Sequence, residues 1–109
     1  MSIERTILAT IPIPSLPGHE LRTVLLTYPP GVSAPVHDHP VAATGYVVQG
    51  HVISQWEGSD VVETYSAGQA FVDQGGAKHV LSRNASETEE LKMVMSYVIK
   101  VGVPNVRML

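Results

Sequence analysis

The sequence predicts an all-β domain, a sandwich or barrel of short strands. Three observations carry this. The segments rich in Ile, Leu, Val and Thr are short, as pleated, half-buried strands require. Gly, Pro and polar turn residues interrupt them at close intervals, the spacing of sandwiches and barrels. No long segment repeats its apolar residues with helical period. The chain has 109 residues, 44% hydrophobic and 16% charged, enough for one domain with a single core, residues 1–109.

The elements follow in order. Ile3 to Thr10 and Leu21 to Tyr28 read as strands, with an extended arm or loop between them. In that loop Pro12, Pro14 and Pro17 each lack a backbone donor. Pro29-Pro30-Gly31 breaks the chain before a short strand from Val36 to His39. Thr44 to Gln49 and His51 to Trp56 flank Gly50, which predicts a tight corner or bulge. Glu57-Gly58-Ser59-Asp60 turns the chain into Val61 to Tyr65, and Ser66-Ala67-Gly68 turns it into Gln69 to Asp73. A Gly-rich turn, Gln74 to Lys78, leads to His79 to Ser82, and Leu91 to Val101 is the last strong strand.

Composition excludes some functions. The net charge is −3 with His neutral, so no basic footprint for nucleic acid is present. No apolar stretch reaches membrane-spanning length. There is no Cys, hence no disulfide, thiolate ligand or cysteine nucleophile. Met1 to Arg5 lack a basic segment followed by an apolar run, so a cytoplasmic protein without a signal peptide is expected. The sequon Asn84-Ala85-Ser86 is then without consequence.

The chemistry lies in the histidines. His37 and His39 are two residues apart on a predicted strand, so they point to one face. His79, from a later strand, can complete that side of a metal ion. Three neutral nitrogen donors suit Zn, Fe, Ni, Cu or Mn better than Mg or Ca.

The spacing around these residues resembles the cupin family. Gly31, His37, His39 and Gly50 stand as in its first motif, with His39-Pro40 leading to Gly45-Tyr46-Val47-Val48-Gln49-Gly50. Gly68, Gly76, His79 and Asn84 stand as in the second. The resemblance covers about residues 29–101, leaving residues 1–28 and 102–109 as terminal strands or arms. It implies an antiparallel jelly-roll β-barrel with the metal inside.

Three positions depart from the family pattern. The usual glutamate ligand falls at Ala43, Gln74 replaces a proline, and Asn84 sits one residue late. The first departure changes the chemistry. A dication with three neutral ligands keeps more positive charge and an additional open position, which a chelating anionic substrate can fill. The resemblance then implies one divalent transition metal per chain on His37, His39 and His79, Fe(II) favoured over Zn, Ni, Mn or Cu. It also implies a dioxygenase-like reaction on a small enol, phenol or acid. Alternatives are a non-redox isomerase, cyclase or lyase and a non-catalytic ligand-binding barrel.

No residue is evident as a replacement for the glutamate: Asp73 and Glu57 lie too close to turns to be placed. Tyr46 and His51 are the candidate acid/base residues. Ala43, Gln55, Phe71, Met95 and Tyr97 are the candidate substrate-pocket residues. The apolar chain ends, Ile3 to Ile13 and Val101 to Leu109, are expected to cover a sheet edge in a partner subunit, giving a homodimer.

Overall fold

The structure is a computed structural model and describes residues 2–109. Ten strands run in chain order: β1 (Glu4–Pro12), β2 (His19–Tyr28), β3 (His37–Asp38), β4 (Ala43–Gln49), β5 (His51–Trp56), β6 (Glu63–Ser66), β7 (Ala70–Asp73), β8 (Lys78–Asn84), β9 (Leu91–Lys100) and β10 (Arg107–Met108). No helix occurs among the described residues. All pairings are antiparallel. One sheet has the order β1-β2-β9-β4-β7, the other β10-β3-β8-β5-β6.

The core fills the space between the sheets. β9 alternates strictly, with Leu91, Met93, Met95, Tyr97 and Ile99 buried, as a strand with one face inward requires. β2 does the same with Val24, Leu26 and Tyr28. β2 pairs with β9 along its whole length, so residues 19–28 are a central strand, and the expected boundary at residue 29 moves forward. The first strand continues through Pro12, opposite Glu20. A proline is tolerated there because β1 is an edge strand whose outer groups need no ladder partner.

The chain ends differ from expectation. β1 and β10 each cover an edge of their own chain, β1 against β2 and β10 against β3. Burying its own edges is the cheaper arrangement, since no association entropy opposes it. Val61 and Val62 lie exposed before β6 begins.

Two glycines fit the fold closely. Gly50 has φ +86° and joins β4 to β5, and a Cβ there would lie 2.9 Å from the Glu90 carbonyl. Gly45 sits opposite both Phe71 and Met95, and a Cβ on it would collide with both side chains. Asn84 is fully buried: its amide nitrogen reaches the carbonyls of Pro29 and Glu89, and its oxygen accepts from the Ser86 amide. A side chain bonded in this way is inaccessible to glycosylation.

Candidate metal centre

β3 places His37 in the interior, His39 follows immediately after the strand and is also buried, and β8 delivers His79 directly opposite His37 in the register. All three are at most 5% exposed. Ring centroids of His37 stand 5.0 Å from His39 and 5.1 Å from His79. One ring nitrogen from each lies within 4.8 Å of the others.

His79 faces inward because of a bulge. Ser54 pairs with Ser82 and Gln55 with Leu81, but Trp56 pairs with His79, so β8 carries one additional residue. Without it, alternation would put Val80 on the face of Ser82 and Asn84. Instead Val80 is 37% exposed and His79 is 5% exposed. Bulges re-aim side chains in this way. The Trp56 ring then stacks on His79, centroids 4.1 Å apart and planes 7° apart.

The imidazoles are held as ligands. His37 donates from Nδ1 to the Pro35 carbonyl at 2.7 Å, and His39 from Nδ1 to the Asn105 carbonyl at 2.6 Å. A carbonyl only accepts, so these bonds fix the tautomer and leave Nε2 with its lone pair. Nε2 of His79 meets Ser54 Oγ at 2.7 Å. Burial pushes all three imidazoles below their ordinary pKa. For His79 the charges of His37 and His39 add to burial and the value falls to about 3. Neutral imidazole is the metal-binding form, and the site holds it at pH 7 without displacing protons.

The fit to a metal ion rests on orphaned atoms. Nε2 of His39 and Nδ1 of His79 are buried without a hydrogen-bond partner. Such atoms are costly unless something binds them. Three convergent neutral nitrogens, two of them unpartnered, match a borderline-soft divalent ion.

The histidines open into a cavity of about 540 Å³, counting its mouth toward solvent. Val24, Leu26, Val52, Phe71, Met93 and Met95 give it apolar walls. Tyr28, Ser54, Asp73, Ser82, Tyr97 and Asn105 are polar, and Arg5 is the lining residue with a permanent positive charge.

The structure brings together some of the expected site residues and separates others. Phe71, Met95 and Tyr97 line the cavity with the three histidines. Ala43 is buried on β4 opposite Asp73 but does not itself line the cavity. Tyr46 does not reach it: alternation along β4 turns it outward, and it is 49% exposed. His51 is exposed and bonds through Nδ1 to Ser66 Oγ, so it too lies outside. Gln55 turns away, its amide donating to the Ser59 carbonyl across the hairpin.

Residues missed in the sequence include Arg5, Tyr28, Ser54, Asn105 and Asp73. The pairing of β2 with β9 gives Tyr28 its place, its hydroxyl 3.1 Å from Ser82 Oγ. Asp73 is 6% exposed, with Oδ2 3.5 Å from His39 Nε2. Burial raises its pKa to about 6 and lowers that of His39. At pH 7 the contact therefore joins a carboxylate to a neutral imidazole and is no ion pair. Alternation along β7 was the available signal for Asp73; its nearness to the following turn obscured it.

Fold and site together define a two-sheet β-barrel domain with a three-histidine group able to hold a metal ion. The family model for the cupin domain matches residues 24–97, and the chain belongs to the cupin family. No curated protein matches the chain. Among solved structures, a Klebsiella pneumoniae protein with a double-stranded β-helix domain superposes with a TM-score of 0.68 at 19% identity, covering 94% of this chain and 80% of that one. An oxalate oxidase in complex with the substrate analogue glycolate has a TM-score of 0.61 at 26% identity, covering 74% of this chain and 46% of the oxidase. A DMSP lyase from Ruegeria pomeroyi has a TM-score of 0.67 at 15% identity, covering 81% of this chain and 42% of the lyase.

Proposed function

We propose that the protein is a mononuclear metal enzyme of the dioxygenase type, acting on a small chelating anion: an enolate, a phenolate or a carboxylate. The observation that carries this is the opening of three neutral, buried histidines into a walled cavity that also contains Arg5. The likeness to an oxalate oxidase holding glycolate, a small hydroxy acid, supports the same substrate class.

When bound, a divalent transition metal supplies a Lewis acid and, as Fe(II), a centre for oxygen chemistry. The chain's residues do the rest. His37, His39 and His79 hold the ion, and the Pro35 and Asn105 carbonyls keep two of these rings oriented. Arg5 attracts the anionic substrate and sets its charged end toward the mouth. Phe71, Met93 and Met95 exclude water behind it, which strengthens each electrostatic contact in the cavity.

A second reading, a non-redox lyase or isomerase, is favoured by Tyr28. Its hydroxyl lines the cavity, and burial raises its pKa, so it stays a protonated donor. It takes the acid role first expected of Tyr46 or His51.

The test is elemental analysis of untagged protein purified without chelator, followed by oxygen uptake with oxalate, glycolate, enolates and phenols. The dioxygenase reading expects about one iron per chain and substrate-dependent oxygen consumption. Turnover without oxygen consumption moves the function to the second reading. Tight binding of these anions without turnover leaves a ligand-binding barrel.

We also propose that the chain works as a homodimer. The supporting observation is the exposure of Ile7, Leu8 and Ile11 on the edge strand β1. A monomer in sedimentation at micromolar concentration would overturn this.

A further inference from the structure

We propose that Asp73 is the fourth protein ligand of this metal centre, placing the carboxylate on β7 across the ladder from Ala43. The proposal rests on the metal centre argued above and goes beyond its three histidines.

Register supplies the first support. Ala43 and Asp73 are direct Cα partners in the β4–β7 ladder. Directly opposed residues of an antiparallel pair share a face, with Cβ atoms about 4.5–5.5 Å apart. Both are buried, so both face the interior. The methyl of Ala43 occupies little of the space there, and the Asp73 side chain lines the cavity that the histidines share.

Distance supplies the second. Asp73 Oδ2 stands 3.5 Å from the unpartnered Nε2 of His39. Two donors bound tetrahedrally to one ion at ordinary Zn–N and Zn–O lengths stand about 3.3–3.4 Å apart. The observed separation is therefore close to that of two atoms on one ion; Asp73 lies outside the 4.8 Å group formed by the three histidines, so its side chain shifts inward to complete the set. It is too long for a hydrogen bond that would compete strongly for either atom.

The absence of other partners is the third support. Among the described residues no side-chain or backbone donor bonds the Asp73 carboxylate. Its near neighbours are the neutral His39, Tyr28 and Tyr65. Buried carboxylates are stable when paired or bound to metal. A dication between His39 and Asp73 satisfies both the orphaned nitrogen and the carboxylate, and lowers the net charge of the centre by one.

The experiment titrates Co(II) into chelator-stripped wild type, Asp73→Asn, His79→Ala and the double variant Ala43→Glu with Asp73→Ala. Affinity, the visible d–d spectrum and the metal-induced rise in Tm are read for each. Asp73→Asn keeps the size of the side chain and removes the buried charge. Its metal-free Tm is expected to be no lower than wild type, while Co(II) affinity falls by about ten- to a hundredfold, the loss typical when a group supporting a metal site is removed. Its d–d spectrum is expected to change as an oxygen donor leaves. The double variant returns a carboxylate to the opposite strand and is expected to recover affinity. Unaltered affinity and spectrum in Asp73→Asn would overturn the proposal. If His79→Ala then loses binding, the three-histidine centre stands without Asp73. If wild type binds no Co(II), both the centre and its fourth ligand fall.

Discussion

His79 is fixed by three contacts of different kinds: the Trp56 ring against its face, Ser54 Oγ at Nε2, and His37 across the ladder. Replacing it by Ala is expected to remove nearly all bound metal while far-UV circular dichroism stays that of the wild type. Full metal content in this variant would show that the donor set is wrong. The same residue predicts a pH dependence for the metal-free protein. The ordinary value of 6.5 falls to about 3 in the fold. Between those values the unfolded chain binds a proton that the fold refuses. Stability therefore falls as pH drops through this window, by at most about 1.4 kcal/mol per pH unit for this group. Asp73 acts in the opposite sense. Its pKa rises from 3.8 to about 6, so the folded carboxyl binds its proton first and offsets part of the loss below pH 6. Urea midpoints between pH 7.5 and 4 are expected to fall, and to fall more steeply in Asp73→Asn. A flat profile would mean that His79 is not buried neutral.

At the scale of elements, period-2 alternation made the histidine pair legible: it put His37 and His39 on one face whatever their surroundings. The same rule turns Thr44 and, two residues further, Tyr46 outward. The direction of His79 was harder to derive, because the additional residue in β8 appears only when β8 is laid against β5. Asp73 was hidden for a similar reason. Its place depends on pairing with Ala43, thirty residues earlier by sequence number, and no local pattern specifies that register. The role of β10 depends on its return to β3, where Arg107 forms a bidentate pair with Asp38 and the preceding Asn105 carbonyl accepts from His39. Removing residues 104–109 is expected to weaken metal binding by about ten- to a hundredfold and to leave the β2–β9 core folded. Calorimetric titration of the truncated chain measures this; unchanged affinity would mean that His39 needs no such support.

Across the whole molecule, the two sheets divide the site. One carries His37 and His79, with His39 just past the end of β3, and the other carries Asp73 with the Phe71, Met93, Met95 and Tyr97 wall. A ligand that binds only this folded arrangement stabilises it by about 2.7 kcal/mol at a hundred times its Kd. Saturating metal is therefore expected to raise the Tm of wild type and not of His79→Ala. The packing between the sheets is equally specific at Gly45. Gly45→Val drives a side chain into Phe71 and Met95, and is expected to cost about 1–3 kcal/mol in urea unfolding. A neutral result there would show that the wall has room to yield. The fold class was readable because many short strands with frequent turns leave few alternatives; the cavity wall was readable in part, since its residues come from strands whose sequences alternate.

The β3–β8 ladder that carries the histidines has two rungs, His37 with His79 and Asp38 with Lys78, against ten between β2 and β9. Short ladders open locally, far below the free energy of global unfolding. The residence time of an ion is thus expected to follow the breathing of β3. Amide exchange at His37 to His39 is expected to be fast in the stripped protein and to slow on loading, and a chelator is expected to extract the ion at that opening rate while the rest of the barrel stays protected.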